Sequence, residues 1–173
     1  MRTLHMPRLS VALLTLLVVP CVVFTGAARA QPSQGAEAGD HDKTEIHNFR
    51  LSMDLIQRAA ATGSEVNRLI DGNPDLKKRW KASFFPESPI AQQVQNVELK
   101  CPEAASVVRS HGLTVRQFIV LRLALATDMY FVAAKKEGDD KDIPRGAVLP
   151  ENESLIEQNW DRIHEMAADL GEE

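Results

Sequence analysis

Apolar residues recur along this chain at three- and four-residue spacing, and nowhere do they alternate with polar ones long enough to predict a strand. Ile56, Ala59, Ala60, Gly63, Val66 and Ile70 form one such stripe, which predicts a helix over 53–70 with Ser52 as its N-cap. Gly63 costs about 1 kcal/mol relative to Ala inside a helix. Its place on the apolar stripe predicts a close helix–helix crossing, with a break in the helix as the competing reading. Asp71-Gly72 ends that helix with Gly at the C′ position. Asn73-Pro74-Asp75 begins the next with a cap, a Pro at the first helical position and an acid in the first turn. Lys77, Lys78, Arg79 and Lys81 follow and read as a solvated cationic end. Ser88-Pro89 repeats the cap-then-Pro device before Ile90, Val94 and Val97. Pro102 opens a further short helix that ends at Gly112.

The strongest local signal comes next. Thr114 and Gln117 make a capping box, with Leu113 and Phe118 as the hydrophobic staple around it. The helix they open is predicted over 114–136, about 30 Å long at 1.5 Å per residue. Val115, Phe118, Ile119, Leu121, Leu125, Met129 and Val132 line one side, and Val120, Ala124 and Phe131 the other. A helix that is apolar nearly all round is a core helix or carries a partner surface. Arg122 and Asp128 interrupt it and argue against a membrane span. Residues 137–149 form a long connection containing Gly138, Pro144 and Gly146. Ile156, Ile163, Met166, Ala167 and Leu170 then predict a last helix over 150–170. The expected fold is all-α, a compact bundle of about five to six helices around a central hydrophobic helix.

The N-terminus changes the picture of the chain's organisation. Arg2 and Arg8 precede an apolar run from Val11 to Phe24, and Ala28-Arg29-Ala30 supplies a small-x-small cleavage pattern. Residues 1–30 are therefore expected to be a signal peptide cleaved after Ala30, leaving the protein in the periplasm or secreted. Residues 31–43 begin with the small, polar stretch QPSQGAEAGD and are expected to be a flexible tether, with 44–173 a single all-α domain. Cleavage removes Arg2, Arg8 and Arg29 from 20 basic residues and nothing from 24 acidic ones, so the formal charge moves from −4 to −7. That charge argues against nucleic acid and anionic lipid as partners, and no stable membrane span is expected in the mature form. Cys101 becomes the sole thiol, and burial is its favoured state over an intermolecular disulfide.

Candidate chemistry is sparse. There is no Gly-rich phosphate loop, His-Glu-x-x-His, Cys-x-x-Cys or Gly-x-Ser-x-Gly sequence, so no catalytic residue, metal or cofactor is expected and the protein is read as a non-enzyme. His41 with Asp40, Asp42 and His47 suggests at most an adventitious metal grouping, and Glu157, Asp161 and His164 read as a solvated face. At 100° per residue Arg122 falls in the middle of the apolar side of the central helix. There it is either an anion-binding group or a structural ion pair. Asn152 and Asn159 fall on the stripe of the last helix; either their amides bond neighbouring backbone, which buried polar groups favour, or they join Arg122 as candidate ligand-binding residues. Val120, Ala124 and Phe131 are the candidate partner surface, with Phe131 as anchor, and a homodimer is one use of such a face.

Leu51-Ser52-Met53-Asp54, Asn73-Pro74-Asp75-Leu76, Gly112-Leu113-Thr114 and Pro150-Glu151-Asn152 together resemble a group of uncharacterised exported bacterial all-helical proteins, over most of residues 49–166. That resemblance implies an all-α fold and no activity. Leu113-Thr114-Val115-Arg116-Gln117 also looks like the Leu-Thr-x-x-Gln mark of periplasmic stress chaperones related to the Cpx inhibitor. That family carries the motif twice, whereas here Leu51-Ser52 is followed by Leu55 where Gln is expected. The expected function is an exported, non-enzymatic module that binds a protein or small ligand. The alternative is a periplasmic stress chaperone.

Overall fold

The first helix to form outside the predicted set is α1, Gln34–His47. A computed structural model describes residues 34–85, 88–139, 141, 143–144 and 146–170. The expected signal peptide and residues 31–33 lie outside them. Where composition predicts a tether, residues 34–43 are helical, and the reason is tertiary. Asp42 accepts the Ile90 N–H at 2.7 Å, and Glu45 is paired with Arg116, whose Nε–H donates to it at 2.9 Å. Ile46 packs against the hydrophobic core. Ile90 and Arg116 lie 48 and 71 positions from Asp42 and Glu45 along the chain.

The remaining helices among the described residues are α2 (Met53–Asp71), α3 (Pro74–Lys81), α4 (Ile90–Lys100), α5 (Pro102–Ser110), α6 (Val115–Glu137), α7 (Pro150–Gln158) and α8 (Trp160–Asp169). No strand occurs among the described residues. The count is thus eight rather than five to six. One added helix is α1. The other arises because the predicted 150–170 helix breaks at Asn159, whose backbone leaves the helical region at φ −125°, ψ 25°. The Asn159 amide side chain donates to the Leu155 carbonyl at 2.9 Å, while its own N–H tightens onto Ile156 at 3.2 Å. The side chain occupies the carbonyl that the helical N–H would have used, and the ladder restarts one residue later.

The predicted caps largely form. Ser52 accepts from the Leu55 N–H, Asn73 from that of Leu76, and both halves of the Thr114–Gln117 capping box are made. Two differ. Ser88 does not cap α4; Pro89 occupies the cap position without a side-chain bond, and Asp42 of α1 satisfies the first N–H instead. Gly72 closes α2 in the right-handed region, so its backbone needs no glycine. Gly138, at φ 77°, does use the left-handed region to end α6, where Asp139 N–H returns to the Ala134 carbonyl at 2.9 Å.

α6 is central, packed against α1, α2, α4, α5 and α7, while α8 lies along α2. Among the described residues only α6 has the length and apolar content of a membrane span. Its Phe118, Ile119, Val120, Leu121, Ala124, Leu125 and Val132 are buried by neighbouring helices. The close crossing expected at Gly63 is present, against the end of α8.

Candidate functional site

Five segments converge on a cleft of about 700 Å³. α1 contributes Asp42, Lys43 and Ile46; α3 contributes Trp80 and Lys81; the following connection Phe84 and Phe85; α4 Ile90 and Gln93; and α6 Ile119, Arg122 and Leu123. Trp80, Ile90 and Ile119 are nearly inaccessible and form its floor, whereas Phe85 and Leu123 remain partly exposed at 54% and 36%. Trp80 and Phe84 meet edge to face with ring centroids 4.8 Å apart, which fixes one wall. The predominantly apolar lining with few polar groups is the usual character of a small-molecule site.

The polar groups in that lining are partly committed. Asp42 caps α4, and Gln93 donates to the Ser88 carbonyl at 2.9 Å. Arg122 is half-buried, not central to the core. Its guanidinium carbon lies 5.6 Å from the Phe84 ring centroid and 5.7 Å from that of Phe118. Of the three candidate ligand-binding residues, Arg122 alone faces the cleft.

Asn152 instead ties three elements together in the core. Its Oδ1 accepts the Leu51 N–H at 2.9 Å, and its Nδ2 donates to the Phe49 carbonyl and to Asp128, each at 2.8 Å. Both amide protons are used, so its amide serves packing. Asp128 is buried beside it on α6, and burial pushes its carboxyl up to about 6, while Asn152 and His47 pull in the opposite direction. Asn159 serves the α7–α8 break. The candidate partner surface is also corrected. Val120 and Ala124 are each 1% exposed, because α6 is covered on both sides within the fold. Phe131 is half-buried, edge-on to the exposed Tyr130 at 5.5 Å.

His41, Asp42 and Glu45 bring ligand-type atoms within 4.8 Å of one another. Their carboxylates already have work, Asp42 as a cap and Glu45 with Arg116, which holds the Glu45 carboxyl below its usual range. Cys101 is fully buried, 3.9 Å from the Ser83 hydroxyl, and burial pushes its thiol up.

The aromatic part of the cleft was not assembled by sequence reasoning. Its signal was Phe84-Phe85 directly after a cationic helix end, with Trp80 one turn earlier. The other walls come from residues up to 46 positions away along the chain, as from Phe85 to Gly39, and no local pattern joins them.

No protein-family model, curated protein or solved structure matches this chain.

Proposed function

We propose that this protein is an exported, non-enzymatic binding module that holds a small molecule in the cleft between α1, α3, α4 and α6. The observation that carries the reading is a cleft of about 700 Å³, within the size range of small-ligand sites, with a buried apolar floor. Asp42, the one carboxylate among the described cleft residues, is engaged as a helix cap, which suits binding better than acid–base chemistry. The stress-chaperone reading gains no support from the Leu113-Thr114-x-x-Gln117 motif, since capping and burial of Leu113 and Phe118 account for it.

Native mass spectrometry of the purified protein tests this reading, together with a Leu123→Trp variant that places an indole in the cleft mouth. A co-purified small molecule that disappears in the variant, with helicity and melting temperature retained, is the expected result. Absence of any bound mass, with no thermal shift across a broad panel of small molecules, would overturn it.

A further inference from the structure

We infer that the cleft's ligand is an amphipathic monoanion, with a hydrocarbon or aromatic body and one carboxylate, sulfate or phosphate head; this rests on the small-ligand reading above. The chain carries 24 acidic against 20 basic residues, yet the described cleft residues include two exposed lysines, Lys43 and Lys81, and one acid. The acid, Asp42, has one oxygen committed to the first N–H of α4 at 2.7 Å. Lys43 and Lys81 are both exposed residues of the cleft, and the Lys43–Asp40 pair, at 3.7 Å with both side chains more than 80% exposed, neutralises little. Arg122 is already engaged, its guanidinium over the Phe84 and Phe118 rings, and orders that wall rather than offering a further charge.

The distribution of these groups orients the ligand. Trp80, Ile90 and Ile119 make a dry floor suited to an apolar body, and the lysines stand where water still reaches. An anionic head at that level keeps part of its hydration and gains the two lysines. A cationic head would meet repulsion, and a neutral one would gain nothing from the lysines. Local positive charge on a net negative chain also selects against extended anionic surfaces, because the rest of the protein repels them.

Dodecanoate, dodecanol and dodecylammonium, compared by titration calorimetry below their aggregation concentrations, test this. The wild-type protein is set beside a Lys43→Glu/Lys81→Glu variant, whose exposed positions leave folding intact. Dodecanoate is expected to bind about tenfold or more tighter than dodecanol. The variant should lose that advantage while its affinity for dodecanol is unchanged, and added salt should weaken only dodecanoate. Equal affinity for carboxylate and alcohol, or a carboxylate advantage that survives charge reversal, overturns the anion assignment and leaves the cleft reading standing. Binding of none of the three overturns both. Intact vesicles of phosphatidylglycerol in phosphatidylcholine supply the same head chemistry at a membrane surface. Co-sedimentation with them at lipid concentrations where dodecanoate does not bind would overturn the free-amphiphile source.

Discussion

Gly63 on α2 lies so close to the end of α8 that a β-carbon there would sit 2.5 Å from the carbonyl oxygen of Asp169. Backbone cannot yield as a flexible side-chain end can, and Asn67 pins the same carbonyl with a 2.9 Å hydrogen bond. Gly63→Ala would gain about 1 kcal/mol of helix propensity but force the two helices apart, at about 1–3 kcal/mol for overpacking. A net loss of up to about 2 kcal/mol in urea denaturation is expected. A gain in stability would mean that α8 does not cross there.

Asp128 carries a pH signature. Its carboxyl is raised in the fold from 3.8 to about 6, so between those values the native state holds a proton that the unfolded chain releases. Stability therefore falls as pH rises through that window and levels off above it, by about 3 kcal/mol at most. Asp128→Asn keeps an oxygen to accept from Asn152 and removes the buried charge. It should raise stability at pH 7 by about 1–3 kcal/mol and flatten the profile. Equilibrium denaturation between pH 4 and 8 reads both, and an unaltered slope in the variant would refute the assignment.

Asn152→Ala strips partners from the Leu51 N–H, the Phe49 carbonyl and Asp128 together. Unsatisfied buried groups cost about 1–3 kcal/mol each when relaxation and water do not rescue them, so a loss of about 2–5 kcal/mol is expected. Amide hydrogen exchange should also show the Leu51 N–H opening faster. A melting curve unchanged from wild type would show that the network does not hold the 48–52 segment.

Arg122→Ala separates a cleft role from a core role. A buried ion pair broken on one side costs about 3–5 kcal/mol, whereas a half-buried guanidinium over two rings is worth about 1–2 kcal/mol. The smaller loss is expected in thermal denaturation, and a loss above about 3 kcal/mol would return Arg122 to the core.

Cys101 should react with a thiol reagent only as fast as the fold opens. It is fully buried, and the thiolate is disfavoured by its surroundings. Reagent kinetics at pH 8 should show a slow phase that becomes immediate in urea. A rapid native-state reaction would place the thiol at the surface.

Helix existence and most caps were legible in the chain because both are short-range. Ser52, Asn73 and the Thr114–Gln117 box satisfy N–H groups three residues away, and the stripe from Ile56 to Ile70 needs only a 3.6-residue period. Arg122 was legible as an exception on an apolar helix, although its angular position alone placed it too deep. α1 was not legible, because a polar sequence is helical there through Asp42 and Glu45, whose partners Ile90 and Arg116 lie 48 and 71 positions further on. The break at Asn159 was hidden for a related reason. An Asn on a periodic stripe reads the same whether it bonds across the fold or back to its own helix.

Sequence alone determined that this is a helical protein with a long apolar helix opened by the Thr114–Gln117 box, and it set Gly63 on an apolar stripe. These follow from backbone hydrogen bonding and side-chain period, which act over a few residues. Tertiary structure alone decided which apolar faces were covered and which stayed open. Val120 and Ala124, indistinguishable in pattern from a docking surface, are enclosed because α6 has helices on both sides. Phe85 and Leu123 stay partly exposed beside Lys43 and Lys81 because five segments meet there without filling the space between them. Burial is a property of packing between distant segments, and a one-dimensional pattern records only which residues are able to take part in it.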